Sequence, residues 1–110
     1  MTFDIERPSI LSLLGSYTNE SVFQIYAGNR ERVDIIASQI SAKMRAVYNK
    51  PYKVLELTVV QEDVNELLYN FLKSANKCNY CVILRVYADH PLQFGQETIG
   101  VAINSSLLEG

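Results

Sequence analysis

The chain has no tryptophan, a single histidine (His90) and two cysteines in 110 residues. Structural zinc takes four ligands, so two cysteines and a histidine nine residues on cannot close such a site within one chain. Cys78 and Cys81 form a Cys-Asn-Tyr-Cys pair, but the pair precedes an expected strand. A redox pair normally opens a helix whose N-terminus lowers the thiol pKa, and that activation is missing. The two cysteines therefore read first as small buried or half-buried residues, and only second as a thiol site or a metal site shared between subunits. No apolar run approaches the ~20 residues of a membrane span. The opening Met1-Thr2-Phe3-Asp4-Ile5-Glu6-Arg7 places two acids where a targeting peptide is basic or acid-poor. A soluble cytoplasmic domain without membrane association is expected.

Catalytic signatures are missing too. There is no Gly-x-Gly-x-x-Gly, no phosphate loop and no Gly-x-Ser-x-Gly elbow; Ala27-Gly28-Asn29-Arg30 holds one glycine where those motifs need several. His90 stands beside Pro91 with no patterned partner for acid–base work. Glu62, Asp63 and Glu66 read as the acidic start and solvated face of a helix. The expectation is a non-enzyme that carries no cofactor.

What the chain does have is an ordinary globular composition, 48% hydrophobic and 20% charged, in a length typical of one domain. Residues 1–110 divide into a leader over 1–20, a core over 21–104 and a tail over 105–110. The net charge is −2, but it is unevenly spread. Gln24 to Lys53 carries Arg30, Arg32, Lys43, Arg45, Lys50 and Lys53 against Glu31 and Asp34, a balance of +4, while the rest of the chain carries −6. Such a split presents an oriented field.

Within the leader, Ser9 after Pro8 and the stop at Gly15 predict a short helix. Val22 to Ala27 is β-branched and aromatic, and reads as a strand. Val33, Ala37, Ile40, Met44 and Val47 recur at helical spacing and predict a helix from about Arg30 to Tyr48, with Ile35, Ala42 and Ala46 as a second, weaker stripe. Pro51 ends it. Lys53 to Val60 alternates as a strand. A second helix opens at Gln61, with Val64, Leu67, Leu68, Phe71, Leu72 and Ala75 along one face. Two more strands, Tyr80 to Ala88 and Thr98 to Asn104, flank the loop Asp89 to Glu97 and read as an antiparallel hairpin. The fold expected is α/β, an α+β two-layer sandwich of order β-α-β-α-β-β. Its four-stranded sheet is mixed, with both long helices on one face.

The candidate site is the turn Gly28-Asn29-Arg30-Glu31-Arg32 and the helix behind it. At 100° per residue, Arg32, Gln39 and Lys43 fall within ~40° of one stripe. A helix N-terminus flanked by arginines suits a phosphate; the same Arg-Glu-Arg mix also reads as the solvated start of a helix. The order of elements, and the run Ser21-Val22-Phe23-Gln24-Ile25-Tyr26-Ala27-Gly28-Asn29-Arg30-Glu31-Arg32-Val33-Asp34-Ile35-Ile36, resemble the Alba superfamily of small nucleic-acid-binding proteins. The order is shared by the C-terminal domain of translation initiation factor 3. The loop Asp89 to Glu97 is similar in position to the Alba arm that reaches along a duplex, though it holds no Lys or Arg. Val60-Gln61-Glu62-Asp63 stands, acidic, where the family has a Gly-Arg-Ala-like motif. The resemblance implies a dimer, or a domain with a partner, that contacts DNA or RNA backbone through Asn29, Arg30 and Arg32; Lys43 joins them on the charge pattern alone. The alternative is a protein-interaction or assembly module that uses the same fold, with Leu92 and Phe94 on an uncharged loop tip as the contact.

Overall fold

Two stretches, Val22 to Ala27 and Tyr80 to Val86, are apolar nearly throughout rather than at every second residue. That is the mark of strands buried on both faces, and both stand in the middle of the sheet. The computed structural model describes residues 14, 15, 17, 19–47 and 53–108. The main elements are β1 (Val22–Tyr26), α1 (Arg30–Val47), β2 (Lys53–Thr58), α2 (Glu66–Lys73), β3 (Tyr80–Val86), the short strands β4 (Gln93–Phe94) and β5 (Glu97–Thr98), and β6 (Val101–Asn104). Of the expected leader helix only Leu14 and Gly15 lie among the described residues, and both are helical.

β2, β3, β1 and β6 lie side by side in that order, and every pairing is parallel. Val22 to Tyr26 run beside Val82 to Val86 on one side, and Phe23 to Tyr26 beside Val101 to Asn104 on the other. The mixed sheet expected from the sequence is therefore corrected. β3 and β6 do not pair as a hairpin, because β1 lies between them. The antiparallel hairpin is a smaller one inside their connection, β4 with β5. Gly95 takes φ +64° there and Gln96 does not, which is the pattern of a type II′ turn.

The expectation of both helices on one face is corrected as well. From β1 the chain crosses β3 to reach β2, then reverses direction to β3 and on to β6. Right-handed crossovers in opposite directions place their connections on opposite faces, and the packing follows. Phe23, Ile25, Cys81 and Ile83 meet Val33, Ile36, Ala37, Ile40 and Met44 of α1. Val22, Val82, Leu84 and Val86 meet Leu72 and Ala75 from the α2 side, with Leu92 and Ile99 from the β3–β6 connection. Each large apolar side chain so enclosed contributes roughly 1.5–3 kcal/mol. The fold is three-layered.

α2 is shorter than its apolar spacing predicts. Gln61–Asp63 form a separate 3₁₀ turn, Val64 is extended, and Asn65 caps the helix by accepting from the Leu68 N–H at 2.8 Å. Leu67, placed by its spacing on the buried face, falls in the first turn of α2 and is 82% exposed.

Fully buried Gln24 holds the β3–β6 connection to the central strand. Its Nε2 donates to the carbonyls of Leu92 (3.0 Å) and Ile99 (2.8 Å), and its Oε1 accepts from the Leu92 N–H at 2.6 Å. A single side chain thereby satisfies three backbone groups of a long excursion.

Candidate functional site

The chain leaves β1 toward α1 on one face, and leaves the neighbouring β3 toward the opposite face. Ligands of parallel α/β sheets bind outside the carboxyl ends of the strands where such exits diverge. By topology that crevice falls between Gly28-Asn29-Arg30 and Tyr87-Ala88-Asp89, where the Asp89 carboxylate lies against Gly28. At Gly28 a Cβ would have to displace the carboxylate of exposed Asp89. Asn29 caps α1, its Oδ1 accepting from the N–H groups of Glu31 (3.0 Å) and Arg32 (3.3 Å). The Arg30 guanidinium lies over the Tyr87 ring, 4.3 Å from its centroid, a favourable cation–π position. Arg30 is exposed and makes no ion pair among the described residues.

Tyr87 is itself held. Its hydroxyl donates to Asp34 Oδ1 at 2.7 Å. Asp34 also accepts from Arg85 (3.1 Å), which reaches Glu56 at 2.9 Å, and Glu56 pairs with Arg45 at 2.9 Å. This chain of charges stitches α1 to β2 and β3. Burial opposes ionisation of Glu56, but the hydrogen bonds from Arg85 and Arg45 outweigh it and hold its carboxyl below the ordinary 4.5. Hydrogen bonding to Glu56 in turn pushes Arg85 up, against the effect of burial. Beside the crevice, Gln61 and His90 hydrogen-bond at 2.9 Å at the rim of a cavity of about 200 Å³ floored by Val59, Val86 and Leu92.

The structure brings together only part of the set expected from sequence. Asn29 and Arg30 share the crevice. Arg32 points elsewhere: half-buried, it donates to the carbonyl of Ser105 (3.3 Å) and to that of Leu108. Lys43 is exposed on α1, thirteen residues beyond Arg30, which at 1.5 Å per residue is ~20 Å along the axis. Leu92 is 1% exposed and belongs to the core, so it is not at a free loop tip. Phe94 is half-buried, stacked on Tyr69 with ring centroids 4.4 Å apart. Cys78 is exposed, and Cys81 is buried inside β3. Among the described residues no group of three or more His, Cys, Asp or Glu is placed to hold a metal ion. No helix among them is long and apolar enough to cross a membrane.

Sequence reasoning did not bring Tyr87 to Arg30 or to Asp34, since Tyr87 and Asp34 lie 53 positions apart and carry no local pattern. It also missed Gln24, whose signal was visible as a lone amide between Phe23 and Ile25.

No protein-family model, curated protein or solved structure matches the chain.

Proposed function

We propose that this domain binds the phosphodiester backbone of DNA or RNA, without catalysis, at the crevice between the β1–α1 turn and the end of β3. The observation that carries this is Arg30, an exposed guanidinium with no ion pair among the described residues, fixed over Tyr87 at the first residue of an 18-residue helix. Guanidinium groups are well matched to phosphate, and helix N-termini favour anions. Lys43 adds to the positive field of α1 from a distance. Arg32 is assigned to fastening the C-terminal turn rather than to phosphate. The Asp89 carboxylate beside Gly28 already faces the helix start and competes with an incoming anion, which makes the binding weak and salt-sensitive.

An amide-resolved NMR titration with a short duplex and a single strand tests the site. Shifts concentrated at 28–30 and 87–89 support it, and shifts confined to other surfaces overturn it. Asp89→Asn tightens binding about two- to fivefold, from the ~0.3–1 kcal/mol of one charge near a helix terminus.

A second reading, an assembly module, draws on Leu67 at 82% exposure and Val60 at 51%. With Leu107, Val47 and Ile35 they are the exposed large apolar side chains among the described residues, whereas Leu92 is buried and Phe94 half-buried. If this reading holds, Leu67→Ser converts an associated species to monomer in light scattering; an unchanged mass counts against it.

A further inference from the structure

A larger cavity, about 330 Å³, opens at the other end of the sheet, where β1 and β6 begin. It is independent of the crevice at the carboxyl ends. Its floor is apolar and buried: Val22, Leu72, Ile99 and Tyr69 are each no more than 9% exposed. One ammonium, Lys73, and two carboxylates, Glu97 and Glu20, stand at its rim. The Lys73 ammonium lies over the Tyr69 ring, 5.1 Å from the centroid, and Glu97 opens β5. Neither Lys73 nor Glu97 forms an ion pair among the described residues, with each other or with any third group.

The walls are fixed by the fold. Tyr69 is stacked on Phe94. Gln24 ties Leu92 and Ile99 to β1. Gly100 runs so close to Val22 that no Cβ fits between them. A cavity held open in this way binds without the cost of first ordering its lining, and its volume lies within the ~300–1,000 Å³ of small-molecule sites.

From this arrangement we infer a binding site for a small zwitterion, an α-amino acid with an apolar side chain. The side chain rests on Val22, Leu72 and Ile99, the carboxylate meets Lys73, and the ammonium meets Glu97. A plain carboxylic acid leaves Glu97 unmatched, and a plain amine leaves Lys73 unmatched.

The test uses three probes on the full chain, read by calorimetry and by amide shifts: L-leucine, N-acetyl-L-leucine without the ammonium, and L-leucinamide without the carboxylate. L-Leucine binds with Kd at or below about 1 mM, shifting Leu72, Ile99 and Gly100, and the other two bind at least about tenfold more weakly. Lys73→Gln abolishes the preference for leucine over leucinamide, and Glu97→Gln reduces the preference over N-acetyl-leucine, Glu20 being the second carboxylate at the rim. Both side chains are exposed, so the variants keep the fold. The inference is overturned if leucine moves none of these amides, if all three probes bind alike, or if the two variants retain wild-type preferences.

Discussion

Gln24 is the residue on which the β3–β6 excursion depends. Gln24→Met keeps the length of the side chain but leaves the Leu92 N–H and the Ile99 carbonyl without their buried partner, while the Leu92 carbonyl keeps the Ile99 N–H at 3.3 Å. An unsatisfied buried group costs roughly 1–3 kcal/mol. The expected loss is therefore about 3 kcal/mol in a urea melt, with faster amide exchange at Leu92. Two glycines make a matched pair in the same region. Gly95 and Gly100 both take φ +64°, but Gly95 has open space where a Cβ would sit, and at Gly100 a Cβ would stand 2.5 Å from the Val22 carbonyl oxygen. Gly95→Ala loses only the ~1–2 kcal/mol of a left-handed residue, whereas Gly100→Ala loses more, because the backbone of β1 must shift as well. Equal melting temperatures for the two variants would contradict this.

At the level of elements, the charge chain between α1, β2 and β3 makes stability depend on pH. The folded pKa of Glu56 lies below its ordinary 4.5, so the unfolded chain takes up the proton first as pH falls. The stabilisation is fully present above 4.5 and is lost as pH drops through the folded value. Denaturation across the acid range therefore finds wild type losing stability where Glu56→Gln loses less; parallel pH profiles would refute the assignment. The elements also show what sequence carries and what it hides. α1 was legible from Val33, Ala37, Ile40 and Met44, because one helix face packs on one sheet face and the spacing records it. α2 was legible as a helix, but not in its start, since Asn65 as cap competes with an apolar pattern that runs on through Val64 and Leu67. The strand at Thr98 to Asn104 was legible, but its partner was not. Alternation records that a face is buried and says nothing of which strand lies alongside.

For the whole molecule, topology decides where a ligand can bind. The near-continuous apolar runs of β1 and β3 are those of strands covered on both sides, a signal that the reading of Asp89 to Glu97 as a hairpin loop did not use. The mixed sheet expected from the hairpin reading is not formed, and the nucleic-acid proposal rests on Arg30 and its surroundings rather than on the fold. Of the candidate site, Asn29 and Arg30 could be read from local sequence, whereas Tyr87 beneath the guanidinium and the diversion of Arg32 to the Ser105 and Leu108 carbonyls are products of long-range packing.

The most direct measurement is a fluorescence-anisotropy titration of a mixed-sequence duplex and a single strand over a range of salt, for wild type, Arg30→Gln and Arg32→Ala. The account predicts binding that weakens with salt, and a slope of log K against log salt reduced by about 0.9 in Arg30→Gln, the loss of one phosphate contact. Arg32→Ala keeps the wild-type slope and lowers thermal stability instead. Absence of binding at low salt, or a slope indifferent to Arg30, would contradict it.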